Sequence, residues 1–405
     1  MKTLCLNFRI HMPVMLKRYR FLHIGNDHHY YDDYCNETYT RHIAESLCLP
    51  ANNILLDLFS QYAGQLKVSF SVSGIAFEQF EQYAPEVLHS FRQLADTGCA
   101  EFICGSFSHS LASRVSSHEF TKQVNMHRNA ILNYTGIPAG NVFSDMLFCN
   151  DIGKTISQMG FNGALTEGAQ HILGWKSPNC VYSSALSPDL KILFRNHKLG
   201  DDIRAGLSSS DYPLTPEKLV YWIGLLDPRQ QFVNICLDFS DFCGKQSSGV
   251  LEFIRLLPKA AFRKKFSFAV PSELLRTRPV APISIHHPVM LCDRYTCSLN
   301  NEMQSEALNR LYQLSGLVEQ VSDLNLKKDW KYLQASDHFR IMGMQERNRT
   351  NPHGSAYGAF INYMNILTDF TFRLKGYIPA ERSEIARLLP SVISPQTQSR
   401  NMVTS

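Results

Sequence analysis

The sequence is short of long apolar runs and of net charge. No window of its 405 residues approaches the roughly eighteen consecutive apolar residues of a membrane-spanning helix. The 40 Lys and Arg residues nearly balance the 36 Asp and Glu residues, which leaves a net charge of +4. We therefore expect no membrane and no nucleic acid as a partner, and we predict a neutral partner instead.

Several nucleotide-binding and hydrolase motifs are also missing. The sequence has no GxGxxG motif of a dinucleotide fold, no GxxxxGKS/T phosphate loop and no GxSxG nucleophile elbow. Metal-ligand spacings of the HxxxH type are absent as well. We predict neither a cofactor nor a bound metal.

One loop nevertheless clusters ionisable residues. Residues 25–34, GNDHHYYDDY, contain His28, His29, Asp32 and Asp33. Adjacent histidines point to different sides of the chain, so a metal site is the weaker interpretation. The loop is long enough to be a lid or a binding loop.

Cysteine usage and the N-terminus bear on the compartment. The eleven cysteines are odd in number, and most lie inside apolar runs, where a reduced cysteine acts as a small hydrophobic residue. The N-terminal residues MKTLCLNFRIHMP lack the cleavage pattern of a signal peptide. Together these features predict a cytoplasmic protein without disulfides.

Strand-like and helix-like segments alternate up to about residue 275, which is typical of α/β folds. The stretch 233–244, VNICLDFSDFCG, shows the pattern most clearly, because an apolar strand carries Asp238 to its carboxyl end. About seven such strands predict a closed or nearly closed parallel barrel over residues 1–275. A doubly wound sheet is the alternative.

Polar residues follow several of the predicted strands. His11 lies just past the first strand, His109 past a strand at 101–104, and Asp145 past a strand at 141–143. Barrels and open α/β sheets carry their chemistry at these carboxyl ends, so we predict a shared pocket. The ordinary interpretations stay open: a loop histidine is usually solvated, and an aspartate after a strand often caps a turn.

The composition changes after residue 275. Residues 276–298 are proline-rich and predict a linker, and residues 299–376 predict helices that pack against the barrel. The polar tail, residues 377–405, is predicted to be disordered near its end.

Short motifs in a fixed order indicate a known family. They are HMP at 11–13, SFSHSL at 106–111, SDMLFCNDIG at 144–153, LTEGAQHILGWKSPN at 165–179, LDFSDF at 237–242 and SDHFRIM at 336–342. Over residues 1–375 the chain resembles the family 57 glycoside hydrolases, specifically their bacterial α-amylase-like members. The resemblance implies an incomplete (β/α)7 TIM-like barrel followed by a C-terminal helical bundle.

The resemblance also implies an activity and its residues. Retaining hydrolysis or transfer of α-glucosidic bonds uses two carboxyl groups about 5–5.5 Å apart, one as nucleophile and one as general acid/base. The partner implied is an α-glucan or maltooligosaccharide, with no cofactor. By position in the motifs, Asp145 falls on the nucleophile and Asp238 on the acid/base. The implied substrate-binding residues are His11, His109, Trp175, Asp337 and His338.

The chain departs from the family pattern at several positions. Asp145 stands where relatives have a glutamate, and Gly105 and Ser240 replace two further glutamates. Ser298 and Asn300 replace a tryptophan and a glycine near the start of the helical region. The first hypothesis is therefore an α-glucan-active enzyme of weak or altered activity, and the second is a non-catalytic relative that binds α-glucan or has a regulatory role.

A third hypothesis is a metal-dependent deacetylase on a similar barrel. It needs an Asp/His/His triad, which the histidine spacing does not supply. Two local interpretations stay open as well. Trp175 is either a core or rim aromatic or a platform for a sugar, and Arg195 and Asp202 are candidates for a structural ion pair.

Overall fold

Seven parallel strands form a ring at the centre of the protein. The structure, a computed structural model, describes residues 2–208, 214–230, 232–244, 247–290, 301–343 and 352–377. In chain order the strands are β1 (Thr3–Ile10), β2 (Val68–Val72), β3 (Ala100–Phe102), β4 (Val142–Phe143), β5 (Gly163–Glu167), β6 (Lys191–Arg195) and β7 (Phe232–Asp238). Strand β1 pairs in parallel with both β2 and β7.

The ring closes through two very short pairings. Cys104, just past β3, forms a parallel bridge with Phe143 of β4, and β6 meets β7 only at Arg195 and Asn234. The remaining neighbours pair in parallel over two to five residues, β2 with β3, β4 with β5 and β5 with β6. The predicted incomplete (β/α)7 barrel is therefore confirmed.

Helices cover the outside of the barrel. The first helix, Asp33–Ile43, continues through the π-turn Ala44–Cys48. The other helices are Leu49–Gln61, Gly74–Tyr83, Pro85–Asp96, Ala112–Val115, Ser117–Thr135, Asn150–Gln158, Gln170–Leu173, His197–Ser208, Pro216–Gly224, Ser247–Arg263 and Pro271–Leu274. Short 3₁₀ turns lie at Phe21–His23 and Phe239–Phe242. The chain breaks at Ala84 between Gly74–Tyr83 and Pro85–Asp96, because Pro85 disfavours a helical residue before it.

The segment predicted as a linker takes part in the sheets. Pro282–Ile283 pairs in parallel with the strand Tyr182–Ser184, which itself pairs antiparallel with β6. Val289–Met290 pairs antiparallel with Leu147–Phe148. Another short strand, Ser267–Phe268, pairs with the start of β1. Residues 291–300 of the predicted linker lie outside the described residues, as do Ser298 and Asn300.

The C-terminal helices pack on the barrel, as predicted. They are Glu302–Gln313, Ser315–Glu319, Leu324–Leu333, Ser336–Ile341 and Ala356–Tyr377. The amide of Ser336 donates to the carbonyl of His109 at 3.2 Å, and Ser110 forms a bridge with Ala335. The helical region therefore sits on the carboxyl-end loops of the barrel. Residues 378–405 of the predicted tail are outside the described residues.

The loop of residues 25–34 is anchored to the last helix. Asp369 is fully buried and accepts hydrogen bonds from the amide of Gly25 at 2.6 Å and the hydroxyl of Tyr30 at 2.7 Å. Its carboxylate also pairs with Nδ1 of His28 at 2.9 Å. His29 pairs with Asp33 instead, so the two adjacent histidines have separate partners.

Two further findings concern the described residues alone. None of their helices is both long and apolar enough to cross a membrane. The nine cysteines that the structure describes are all free thiols. Cys292 and Cys297 lie outside the described residues.

The anchor at Asp369 gives a stability prediction. We expect Asp369→Ala to lower the free energy of unfolding by about 2–4 kcal/mol, because the Gly25 amide and the Tyr30 hydroxyl lose a buried acceptor. Urea unfolding measures the change. Asp202→Ala, at an exposed position on the helix His197–Ser208, is the control. Equal stability of the two variants would contradict the anchor.

Candidate active site

Alternation along β1 and β7 turns one set of side chains into the barrel. Cys5 of β1 and Cys236 of β7 belong to the small inner core, whereas their neighbours Leu4, Leu6 and Leu237 pack outward under the helices. Because side chains alternate along a strand, Arg9 and Asp238 share the inward face with these cysteines. They are also direct partners in the β1–β7 register.

Asp238 ends β7 and is held by the turn that follows it. Its side chain is 7% exposed, and Oδ1 accepts hydrogen bonds from the amide of Ser240 at 3.0 Å and its hydroxyl at 2.8 Å. Asp238 is thus both the last residue of the strand and the cap of the 3₁₀ turn Phe239–Phe242. The two interpretations of this aspartate, strand end and cap, both apply.

Asp145 follows β4 and is held by backbone amides. Oδ2 accepts from the amide of Ser106 at 3.0 Å, and Oδ1 accepts from the amide of Met146 at 2.7 Å. Burial raises the pKa of Asp145, although these hydrogen bonds and the charge of Arg9 act in the opposite direction. The carboxylate is therefore fixed in orientation and is more basic than an ordinary aspartate.

The two aspartates line adjoining cavities. The groove, a cavity of about 90 Å³, is lined by Asp238 and Asp337 among others, and the inner pocket, of about 30 Å³, is lined by Asp145. Both cavities share the same four wall residues, Arg9, His11, His109 and Met146. Asp145 and Asp238 therefore reach the two sides of one set of side chains at the barrel mouth.

Two histidines stack between the cavities. The rings of His11 and His109 are 4.1 Å apart between centroids and inclined by 28°. His11 hydrogen-bonds to Ser73 through Nδ1 at 2.9 Å, and His109 to Ser336 through Nδ1 at 3.1 Å. The backbone of His109 has φ = 50°, a left-handed conformation that is uncommon outside glycine and marks local strain. Within the described residues, Nε2 of His109 is buried without a hydrogen-bond partner.

Asp337 brings a third group from the helical region. Its Oδ2 lies 2.7 Å from Nε2 of His11, and Oδ1 lies 3.6 Å from the guanidinium of Arg340. Burial alone would raise the pKa of Asp337, but His11 and Arg340 hold it well below the usual range. Burial and the neighbouring His11 lower the pKa of His109. His109 is therefore neutral at neutral pH.

The fold brings together an Asp/His/His cluster that the spacing of histidines along the sequence does not supply. His11, His109 and Asp337 each place one candidate ligand atom within 4.8 Å of the others. A metal bound to imidazole lies in the ring plane about 2.0–2.1 Å from nitrogen, so two stacked rings cannot both direct a lone pair at one ion. Within the cluster, His11 and Asp337 are hydrogen-bonded and the ring of His109 stacks on that of His11, and the absence of a metal stays a prediction.

Two predicted substrate-binding residues lie away from both cavities. Trp175 is 93% exposed in the loop after Gln170–Leu173, so it is not a core residue. His338 is 3% exposed, and its Nε2 donates to the carbonyl of Tyr332 at 3.0 Å. Burial lowers the pKa of His338 to about 4. The ring of His338 packs inside the helical region against Tyr363, so the structure does not bring this predicted substrate ligand to either cavity.

Arg195, the candidate partner of Asp202 in a structural ion pair, pairs with two other carboxylates. Arg195 is buried and binds Glu167 at 2.9 Å and Asp201 at 3.2 Å. Glu167 is its neighbour in the β5–β6 register, so the pair is set by strand pairing. The interpretation of this arginine as a structural residue fits its placement.

Comparison with known proteins identifies the family. The model of Glycosyl hydrolase family 57 matches residues 5–286 of this chain. This chain belongs to glycosyl hydrolase family 57. A putative alpha-amylase of Methanocaldococcus jannaschii is 30% identical over 401 residues, covering 91% of this chain and 84% of that protein.

Three solved structures share the fold. A 4-alpha-glucanotransferase of Thermococcus litoralis has a TM-score of 0.64 at 13% identity and covers 84% of this chain, which spans only 56% of that one. A family 57 branching enzyme of Thermococcus kodakaraensis also scores 0.64, at 10% identity, with 94% and 95% coverage. The alpha-amylase AmyC of Thermotoga maritima scores 0.62 at 11% identity, with 96% of each chain covered.

Sequence analysis missed several residues of this family 57 site. Arg9, Ser73, Met146, Ser336 and Arg340 all line the groove or the inner pocket. A polar residue at an inward position of an otherwise apolar strand was a usable signal for Arg9. Met146, Ser336 and Arg340 lie inside motifs of the family resemblance, which was a second signal. Ser73 has no local signal, because its position depends on how distant segments pack.

Beneath the site, His127 supports the segment that carries Gly105. Its buried Nδ1 accepts from the amide of Gly105 at 2.9 Å, and Nε2 donates to the carbonyl of Val72 at 2.7 Å. Burial lowers the pKa of His127 from 6.5 to about 4. The neutral ring is therefore the form that the fold requires.

The lowered pKa of His127 predicts that the folded protein loses stability in acid. The unfolded histidine binds a proton near pH 6.5 and the folded one only near pH 4, so stability is complete above pH 6.5 and falls between these values. His127 accounts for a loss of about 3 kcal/mol over this range. We expect His127→Gln, whose amide can keep both hydrogen bonds, to remove that part of the pH dependence in urea unfolding. If the free energy of unfolding of His127→Gln depends on pH as steeply as that of the wild type, His127 is not the group responsible.

Proposed function

We propose that the protein hydrolyses or transfers α-glucosidic bonds by a retaining mechanism, with Asp145 as nucleophile and Asp238 as general acid/base. The observation that carries the proposal is that the cavities lined by these carboxylates share four wall residues. Membership of family 57 supports a glycoside as substrate. The names of the similar proteins, a putative alpha-amylase, a branching enzyme and a 4-alpha-glucanotransferase, support α-glucan as that glycoside.

In this mechanism the Asp145 carboxylate attacks the anomeric carbon while Asp238 donates its proton to the leaving oxygen. Asp238 then takes a proton from water or from an acceptor hydroxyl, which displaces Asp145 and restores the original configuration. The two backbone amides that bind Asp145 use about two of its four lone-pair directions, so the carboxylate retains acceptor capacity for the sugar.

Sugar hydroxyls have suitable partners in the same walls. His109 lines the groove, and its buried Nε2 has no hydrogen-bond partner among the described residues, so a sugar hydroxyl that reaches this nitrogen would satisfy it. His11 is oriented by Asp337 and Ser73 on its two nitrogens. The exposed ring of Trp175 offers a stacking face for a longer glucan outside the cavities.

A non-catalytic protein that binds α-glucan is the second candidate. The inner pocket beside Asp145 measures only about 30 Å³, which holds about two water molecules and not a sugar ring. In the catalytic proposal the anomeric carbon enters from the groove and displaces the wall side chains. In the binding proposal the glucan stays in the groove and no bond is broken.

Azide rescue assigns the roles of the two aspartates. We expect Asp145→Ala and Asp238→Ala to lose at least about 1,000-fold of turnover on an activated α-glucoside. Azide then replaces the missing nucleophile in Asp145→Ala and gives a β-glycosyl azide, whereas in Asp238→Ala it attacks the glycosyl enzyme and gives the α-glycosyl azide. Mass spectrometry and NMR identify the products.

Asp202→Ala, at an exposed position, is the matched control and should keep full turnover. Full activity of Asp145→Ala would rule out the nucleophile assignment. A wild-type protein that binds maltooligosaccharides without cleaving or transferring them would establish the non-catalytic alternative.

Gly105 determines how closely the nucleophile segment approaches the site. A Cβ at Gly105 would lie 2.5 Å from the carbonyl oxygen of Ser144 and 3.7 Å from Cγ of Asp145, whereas an ordinary contact is 3.4–4 Å. A larger residue at 105 would therefore push the Ser144–Asp145 backbone away from residue 105 by about 1 Å. One methylene spans about 1–1.5 Å. Glycine at 105 and the short side chain at 145 are thus matched in size.

This match in size predicts that the effects of substitutions at 105 and 145 on activity are coupled. We expect Gly105→Ala and Asp145→Glu each to lower kcat/KM about 100-fold, because each displaces the carboxylate by about 1 Å. The double variant should recover much of the loss, since a longer side chain on a more distant backbone restores the reach. Gly316→Ala, where a Cβ meets nothing within 4 Å, is the control. If the loss of kcat/KM in the double variant equals the product of the losses in the two single variants, the proposed match in size is contradicted.

A further inference from the structure

Besides the groove and the inner pocket, the protein has a further cavity next to the groove, here named the second cavity. Its volume is about 400 Å³, against about 90 Å³ for the groove. Among the described residues, none that lines the second cavity also lines the groove or the inner pocket. Its walls come from residues 28–36, the end of Gly74–Tyr83 and the helices Leu324–Leu333 and Ala356–Tyr377. The proposed cleavage reaction makes no use of it.

One backbone segment separates the second cavity from the groove. Pro13 lines the groove, and the next residue, Val14, lines the second cavity. Gln79, another wall residue, donates through Nε2 to the carbonyl of Met12 at 3.0 Å. A ligand in the second cavity therefore lies against the segment that carries His11.

The floor of the second cavity is fixed before any ligand binds. The hydroxyl of Tyr31 donates to Oδ1 of Asp329 at 2.7 Å, and Arg373 donates to Oδ2 at 2.7 Å. Asp329 is 6% exposed. Since both carboxylate oxygens of Asp329 are already hydrogen-bonded, these side chains are ordered before a ligand binds. Binding therefore carries no further entropic cost for ordering them.

The charges of the second cavity balance. Its carboxylates are Asp33 and Asp329, and its Lys and Arg residues are Lys328 and Arg373. Arg373 is already paired with Asp329 at 2.7 Å. A strongly charged ligand would therefore find as much repulsion as attraction, whereas a neutral polar ligand avoids both.

Aromatic rings and amides complete the lining. Tyr31 and Tyr332 meet edge to face at 5.4 Å, and Tyr83 adds a third ring. The amides of Gln82 and Asn325 stand at the exposed rim. Aromatic faces pack against the C–H face of a sugar, and amides both donate to and accept from its hydroxyls. This combination suits a neutral polyhydroxylated ligand of oligosaccharide size.

We propose that the second cavity binds a neutral oligosaccharide separately from the groove. Naming that oligosaccharide as α-glucan rests on the proposed function. A long glucan held here raises the effective concentration of its glucosidic bonds at the groove. Long substrates gain from the second cavity, and a short activated α-glucoside does not.

Calorimetric titration with maltoheptaose tests the site, in an Asp238→Ala background that prevents turnover. We expect Tyr83→Ala to weaken binding about three- to tenfold, because one stacking face is lost. Asn325→Ala, at the exposed rim, gives an independent variant with a loss of about threefold. Tyr221→Ala removes an exposed tyrosine of Pro216–Gly224 and is the matched control, with unchanged affinity.

Equal affinities in all three variants would overturn the proposal. Inorganic phosphate is the second probe, and its competition with maltoheptaose would identify an anion site and also overturn it. If wild-type protein cleaves no α-glucoside while Tyr83→Ala loses affinity, the second cavity is supported and only the enzymatic proposal fails. If an active enzyme shows no dependence on Tyr83 for long glucans, only the second cavity fails.

Discussion

The site depends on how the seven-stranded ring closes. The ring is joined by a single bridge between Cys104 and Phe143 and a single pair between Arg195 and Asn234. The Cys104–Phe143 bridge holds the end of β4 against the segment after β3, and the seven-residue pairing of β7 with β1 places Asp238 beside Arg9. As a result, Asp145 and Asp238 line cavities with common walls, although they come from strands far apart in the ring. The close approach at Gly105 directly follows the first of these contacts.

The barrel alone does not complete the site. Ser336, Asp337 and Arg340 come from the helical region and form one side of the groove. Asp337 orients His11, and Ser336 binds both the ring and the backbone of His109. Two buried aspartates also link the loop of residues 25–34 to the last helices. The helical region therefore forms part of the candidate active site as well as a cover for the barrel.

The sequence predicted what depends on local patterns. Apolar strands ending in His11 or Asp238 and the order of the motifs were enough for the barrel and for the candidate carboxylates. The contact of His11 with Asp337 joins residues 326 positions apart, so no spacing rule could predict it. Neighbouring helix residues point about 100° apart, which is why Asp337 reaches the barrel mouth while His338 faces the helical core. Similarly, strand register, and not sequence distance, pairs Arg195 with Glu167.

The central claim is that Asp145 and Asp238 act from opposite sides on one α-glucosidic bond. The configuration of the first sugar released tests this claim most directly, and proton NMR of a maltooligosaccharide digest records it before mutarotation. Carboxylates close enough for a covalent glycosyl enzyme give the α-anomer first. Initial release of the β-anomer would mean that water attacks directly, and it would contradict the assignment of Asp145 as nucleophile.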